Sequence, residues 1–465
     1  MINSRNLIYT NILDLTPHLI ELYAISPSKP SYSVIYLNSN YLSYQGNLKE
    51  QCLNQRLWIA FYIVPNWLVH FAQKICPPNL RCSQAYLLKD KKFNKKRQSQ
   101  DIPQQISYHI NISRNYFYLN TKFRKRGANM RSKDKILGVI YGQAIGDAIG
   151  MPSELWPVEN IRDQFGGKIT TFLDGPDNND IAKNFKKGQY TDDTNQALAI
   201  LDGLIENNWQ PNSEILVKHI MAWAESVGAW ENNILGPSSK AALSAIKAGQ
   251  DPRPITDQAL TNGAGMRISP IGALFEPNQL PKLVQMVFDI TKITHSSDVS
   301  ISGASMIAGA VTASMADQNW DDIIDFALRA NDVGFKLGAP TWAAKTHDRL
   351  QLGIEIAHKY KDDDGKFSQH IYDLIGTGTM ISESIPAAVS IAYYCRDVQK
   401  CALMCANLGG DTDTIGAMAT AICGAKNGQS SIPVEWVNLI DQQNPEHDFN
   451  EYADKILQFH INQMG

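Results

Sequence analysis

Residues Ile415–Ala425 carry no charge at all. A helix without a polar face has nothing to turn towards water, so it is buried on every side. Burial all round demands a shell of other helices, and the small residues of this stretch allow them to come close. Just upstream stand Asn407-Leu408-Gly409-Gly410-Asp411-Thr412-Asp413-Thr414. A glycine pair permits a sharp turn or a close approach of backbone to ligand, and Asp411, Asp413 and Thr414 follow it at the mouth of the buried helix. Two readings stand side by side. Asp and Thr are favoured helix N-caps, and the same oxygens would serve to hold a cation or a phosphate.

A second stretch has the same character. Tyr190-Thr191-Asp192-Asp193-Thr194-Asn195 is followed by Ala197, Leu198, Leu201, Leu204 and Ile205 at helical spacing. Carboxylate and hydroxyl oxygens at two helix starts suit a hard cation such as Mg2+. Four carboxylates are enough for two ions, and a two-metal site clamps substrate oxygens or activates a water. A third segment, Ile136–Gly150, is a small-residue helix with glycines spaced to let another helix approach, and it runs into Met151-Pro152-Ser153-Glu154. Pro152 fixes a turn beside a buried element, which makes Glu154 a candidate to face a site.

Helical patterns dominate the rest: 213–227, 237–248, 280–294, 302–315, 320–330, 340–359, 381–394 and 398–407. Strand-like alternation is scarce, so the expected class for residues 130–465 is all-α. Two loops stand out. Asn262-Gly263-Ala264-Gly265-Met266-Arg267 is glycine-rich and ends in arginine, a combination suited to phosphate, while Thr294-His295-Ser296-Ser297-Asp298 places a histidine after a helix.

Charge divides the chain. The first 130 residues hold 17 Lys and Arg against 5 Asp and Glu, whereas the whole chain of 465 residues has a net charge of −3. Such asymmetry points to two segments of different role. Residues 1–129 show no sustained period and carry the runs Lys91–Arg97 and Lys122–Arg126 near Tyr116 and Tyr118. Basic runs with aromatics can bind nucleic acid, but a charge run is usually a solvated face, and nucleic acid is not the expected partner. The expectation is a basic, poorly ordered or spurious extension, with Met130 as the start of the patterned protein. Leu57–Ala72 is apolar but broken by Pro65 and shorter than the roughly 20 residues a membrane span needs. The seven cysteines form no CxxC pair, which argues against a zinc ribbon or a disulfide framework and for a reduced, cytoplasmic protein.

Taken in order, Gly146-Asp147-Ala148-Ile149-Gly150 with Glu154, Thr191–Thr194, Asn262-Gly263 through Met266-Arg267, Thr294-His295 and Gly409–Gly416 resemble the motifs of ADP-ribosylglycohydrolases. The resemblance covers about residues 133–460 and none of the N-terminal segment. It implies an all-α, orthogonally packed multi-helix domain, two Mg2+ or Mn2+ ions, and hydrolysis of a glycosidic bond between ADP-ribose and an acceptor, either a protein side chain or a small molecule. By position, it implies Thr191, Asp192, Asp193, Asp411, Asp413 and Thr414 as metal ligands, with Glu154, Asp192 and Asp413 nearest the chemistry. Gly236, Ser238, Asn262, Gly263, His295, Gly409 and Gly410 would line the ADP-ribose pocket. Thr261 departs from the family pattern, which has another glycine before Asn-Gly, and this bears on the shape of that loop.

The chemistry agrees with the residues. Cleavage at an anomeric carbon builds oxocarbenium-like charge, ribose hydroxyls offer a cation two oxygens, and metals would orient the sugar and acidify a water. A two-metal phosphoester hydrolase and a non-catalytic ADP-ribose-binding relative are the alternatives. Because neither motifs nor helical pattern extend upstream, a chain beginning at Met130 is expected to keep its thermal midpoint. Loss of folding on that truncation, read by circular dichroism, would show that the first segment packs on the core.

Overall fold

The computed structural model describes residues 133–231 and 234–463, together with the backbone of three short strands nearer the N-terminus. The readings made above for the rest of residues 1–129 lie outside the described residues. The chain divides into two units, Met1–Ser107 and Tyr108–Gly465. In the first, β1 (Ile20–Ile25) pairs antiparallel with β2 (Ser33–Leu37) on one side and β3 (Trp58–Ile59) on the other, with Ile20 opposite Leu37 and Ala24 opposite Ile59.

The described residues of the second unit are helical, with isolated backbone bridges as their extended pairing. Its helices of seven residues or more are α1 (133–150), α2 (Val158–Gln164), α3 (Asp192–Glu206), α4 (Ser213–Ser226), α5 (Pro237–Lys247), α6 (Leu280–Thr291), α7 (Asp298–Met315) and α8 (Trp320–Phe335). They continue with α9 (Thr346–Lys359), α10 (Asp364–His370), α11 (Ile381–Cys395), α12 (Val398–Ala406), α13 (Thr412–Asn427), α14 (Val434–Gln443) and α15 (Phe449–Gln463). α7 is buried along its whole length save Met315, and α6, α8, α11 and α13 pack around it. α13 is buried from Thr412 to Ala425, as its lack of charge requires.

Helices α1 and α13 touch backbone to backbone. Gly138, Gly142, Gly146 and Gly150 recur every fourth residue and so lie along one face of α1. They meet Gly424, Thr420, Gly416 and Thr412 in turn, so the helices run antiparallel, and a Cβ at any of the four glycines would collide with the α13 backbone. Thr420 contributes where it stands: its hydroxyl donates to Gly142 O at 2.5 Å and Gly416 O at 2.6 Å. At the end of the seam, the Thr412 hydroxyl donates to Gly150 O at 2.9 Å and accepts from Ser153 Oγ at 3.1 Å.

Two boundaries differ from the sequence pattern. The segment from Pro340 stays irregular until Thr346, because Ala339 bridges Ser297 and Thr341 is tied to the Asp298 carboxylate through both backbone N–H and hydroxyl. α7 begins at Asp298, four residues before its apolar period, with the Ser297 hydroxyl capping Ser300 N–H.

The seam makes a direct prediction. Gly146→Val places methyl groups against Gly416 O and the Thr420 hydroxyl, and overpacking of this kind costs about 1–3 kcal/mol or more. Gly236→Ala meets nothing within 4 Å and should stay within about 0.5 kcal/mol of the parent. Urea unfolding followed by circular dichroism compares them, and equal midpoints would contradict the seam.

Candidate metal centre

The seam ends where the acidic residues gather. Asp147 sits one residue past Gly146 on α1, and Asp411, Asp413 and Thr414 open α13. Asp192 and Asp193 open α3. Capping was the ordinary reading of these residues, yet neither Thr191 nor Asp411, at the two N-cap positions, makes a side-chain capping hydrogen bond. α3 is capped from outside instead. The Asp147 carboxylate accepts from Thr191 N at 2.8 Å, Thr194 N at 3.1 Å and the Thr194 hydroxyl at 2.6 Å. The α3 carboxylates are therefore released from helix capping.

Two groups of carboxylates result, each with its oxygens within 4.8 Å of one another: Asp147, Asp193 and Asp413, and Glu154, Asp411 and Asp413. Asp413 belongs to both. The Thr191 hydroxyl lies 3.2 Å from Asp193 Oδ2 and 3.5 Å from Asp413 Oδ2, and Thr414, buried like them, follows Asp413 in the first turn of α13. Asp192 stands beside both groups rather than in them, with Oδ2 accepting from Gln196 Nε2 at 2.8 Å.

Backbone geometry aims the rim. Gly409 and Gly410 have φ of 81° and 82°, a left-handed conformation that costs glycine little. In it Gly410 bridges Trp156, with Leu155 N donating to Gly410 O at 2.7 Å and Gly410 N to Trp156 O at 2.9 Å. That bridge brings Glu154 to Asp411. Thr377 O accepts from Asp411 N at 2.7 Å on the other side.

The loop residues divide by role. Asn262 directs its amide to Asp411 Oδ2 at 2.5 Å and to Ser384 Oγ at 3.1 Å, so its side chain orients a carboxylate. Gly263 packs on the ring of His295, where a Cβ would stand 2.8 Å from Cε1. His295 and Ser238 are joined through the hydroxyl of Thr261. Gly236, at the N-cap of α5, is exposed.

Asp147 is absent from the ligand set that the motifs imply, and its signal was a single carboxylate inside an apolar helix. Arg267 and Gln196, both fully buried, are the other structural surprises.

Withdrawal from water pushes the carboxyls up: Asp147 to about 6 against hydrogen bonds from Thr194 and Thr191, and Asp192 to about 7 with help from Asp147 and Asp411. Glu154, Asp193 and Asp413 lie well above the ordinary carboxylate range, through burial and then mutual repulsion. Asp411 is raised by burial too, with the hydrogen bond from Asn262 foremost in opposing it. Buried charge without a counter-charge is costly. Asp193 Oδ1 and Asp413 Oδ1 are buried and have no hydrogen-bond partner, which fits a set of oxygens built to hold hard divalent cations.

The same part of the chain that carries the acidic groups is similar to known proteins. A family model described as ADP-ribosylglycohydrolase matches residues 128–463. The uncharacterized protein YegU of Escherichia coli (strain K12) is 38% identical over 327 residues, which covers 70% of this chain and 97% of that protein. ADP-ribosyl-dinitrogen reductase glycohydrolase of Rhodospirillum rubrum is 25% identical over 325 residues, 70% of this chain and 96% of its own length. Among solved structures, an ADP-ribosylglycohydrolase-related protein complex aligns with a TM-score of 0.53 at 21% identity, covering 71% of this chain and 99% of that one, and shares the fold.

A raised carboxyl pKa stabilises the metal-free fold below the unfolded value, about 3.9, and that stability is lost as pH climbs through the folded value. For Asp192 the window runs from there to about 7. Buried neutral His295, pushed down to about 3, has the opposite sign below its unfolded value, so the test is a difference. In EDTA, Asp192→Asn should gain stability relative to the parent as pH rises from 4 to 7.5, measured by urea unfolding. A difference that is flat or falls with pH would contradict the buried cluster.

Proposed function

The chain belongs to the ADP-ribosylglycohydrolase family, and we propose that it cleaves the glycosidic bond between ADP-ribose and an acceptor, a protein side chain or a small molecule, at a centre of two divalent cations. The observation that carries this reading is the pair of buried, unpartnered oxygens Asp193 Oδ1 and Asp413 Oδ1 in two carboxylate groups that share Asp413. Asp147, Asp193 and Asp413, with Thr191, would hold one Mg2+ or Mn2+. Glu154, Asp411 and Asp413, with Thr414, would surround the other, and Asp192 adds charge beside both. When bound, such cations neutralise the cluster, orient vicinal hydroxyls and acidify a water.

The remaining work falls to the chain's own groups. Asn262 fixes Asp411 in one rotamer, and the Trp156–Gly410 bridge holds Glu154 at the rim. Glu154 is half-buried and its carboxyl is raised by burial and by Asp411, which suits it to carry a proton between attacking water and leaving group. Water oxygen bonds to the anomeric carbon as the bond to the acceptor breaks, and the proton given up by water ends on the acceptor. Ser238 and His295, with Gly236, Gly263 and the Gly409–Gly410 turn, would form the ADP-ribose side. Residues 130–465 are the catalytic part in this reading. The buried free thiols Cys395, Cys401, Cys405 and Cys423 support a reducing, cytoplasmic setting.

Incubation with ADP-ribosyl-arginine, ADP-ribosyl-serine and small ADP-ribose esters should release ADP-ribose with Mg2+ or Mn2+ and none in EDTA. Asp413→Asn should lower metal affinity and turnover together, on the order of a hundredfold, since it removes one charge from both groups. Unchanged metal binding and turnover in that variant would defeat the proposal, and release of phosphate instead of ADP-ribose would favour a phosphoester hydrolase.

A further inference from the structure

Arg267 is fully buried and can only donate hydrogen bonds. Its Nη1 donates to Gln196 Oε1 at 2.6 Å, and Gln196 Nε2 donates to Asp192 Oδ2 at 2.8 Å. Its Nη2 donates to the Thr294 hydroxyl at 2.5 Å, which lies 2.8 Å from His295 Nδ1. His295 Nε2 lies 3.0 Å from the Thr261 hydroxyl, which donates to Ser238 Oγ at 2.9 Å. One connected chain therefore joins the acidic cluster to the start of α5.

Every proton in it has one place. The Thr261 hydroxyl gives its single proton to Ser238, so it can only accept from His295, and Nε2 must carry a hydrogen. His295 is buried and neutral, pushed down to about 3 by burial and by the Arg267 charge, so its Nδ1 is an acceptor and takes the Thr294 proton. Thr294 in turn accepts from Arg267. At the far end Ser238 Oγ is an acceptor within the chain, which leaves its own proton to be offered outward.

We propose that Arg267 is a positioning residue which, through Thr294, His295 and Thr261, sets Ser238 as a hydrogen-bond donor to an acceptor oxygen of the bound ADP-ribose. The inference rests on the function proposed above for its ligand, while the direction of the chain follows from the Thr261–Ser238 hydrogen bond together with the neutral state of buried His295. Thr261 is the decisive link, because a residue without a hydroxyl there separates His295 from Ser238. The other arm gives Asp192 a neutral amide partner and leaves its charge to the cluster.

The test uses the full chain with Mg2+, and reads ADP-ribose and Mg2+ affinity by calorimetry and the His295 tautomer by 15N-edited NMR, with His295→Gln to assign the signal. Thr261→Val and Thr294→Val should each weaken ADP-ribose binding on the order of tenfold, the effect of one well-placed hydrogen bond. Mg2+ affinity should not change, and Thr261→Ser and Thr294→Ser should restore binding. Half-buried Thr261 keeps the test open if the buried Thr294→Val fails to fold. Wild-type His295 should carry its proton on Nε2. A proton on Nδ1, or valine variants that bind ADP-ribose as the parent does, would overturn the proposal. If the parent binds Mg2+ but no ADP-ribose, the assigned ligand falls, and the tautomer alone decides the chain.

Discussion

Everything at the acidic centre depends on how closely α1 and α13 approach. Ordinary helix pairs stand about 8–10 Å apart because side chains separate them. The glycines of the seam remove that spacer, and Thr420 turns the contact polar by donating to carbonyls of both helices. Asp147 then falls beside Asp413 although 266 positions separate them along the chain. The same seam fixes rotation as well as distance. Gly150 is pressed on the Asp413 backbone, so α1 must end where α13 begins, and the turn that follows α1 delivers Glu154 to the second carboxylate group.

Crowding carboxylates in a helical core would ordinarily be unstable, and three features limit the cost. The N-termini of α3 and α13 both face the cluster, and their positive dipole ends favour negative charge there. Backbone N–H groups reach individual oxygens, as Thr191 and Thr194 do for Asp147. Arg267 supplies a full positive charge near Asp192 while hydrogen-bonding only neutral partners. A direct ion pair would spend the Asp192 charge on arginine. Interposing Gln196 keeps the attraction and leaves the carboxylate less committed.

Much of this was legible in the sequence. Absence of charge in 415–425 required a buried helix, and the paired Asp and Thr oxygens at two helix starts supply Asp193, Asp411 and Asp413 to the two carboxylate groups. What escaped was set by contacts between distant residues. Asn262 reads as part of a phosphate loop, and nothing local reveals that its amide reaches Asp411, 149 positions away. Asp147 looks like a lone acid in an apolar helix until the seam places it. α14 and α15 bury only a narrow stripe, Trp436, Val437 and Ile440 in one and Phe449, Tyr452, Ala453 and Ile456 in the other, which is too sparse a period to stand out. Thr261 reads as a departure from a glycine pattern, and its meaning appears only when Ser238 and His295 are found on either side of it.

Donor chemistry explains why the parts are distributed as they are. Imidazole and thiolate ligands would raise the affinity of a site for zinc and copper, which generally outcompete magnesium and manganese, so selectivity has to come from ligand type and geometry. In the described residues the acidic groups contain carboxylates alone, with hydroxyls beside them. His295 lies on the loop side with both ring nitrogens engaged, one by Thr294 and one by Thr261, so it has no lone pair to give a cation. Four thiols are packed instead among α11, α12 and α13, where burial pushes Cys401 and Cys423 up and keeps them protonated. Arg267 thus does two things from one place. It holds His295 in a neutral, fully occupied state, and through Gln196 it leaves the carboxylates of the described groups free, so that they offer oxygen as their chemistry.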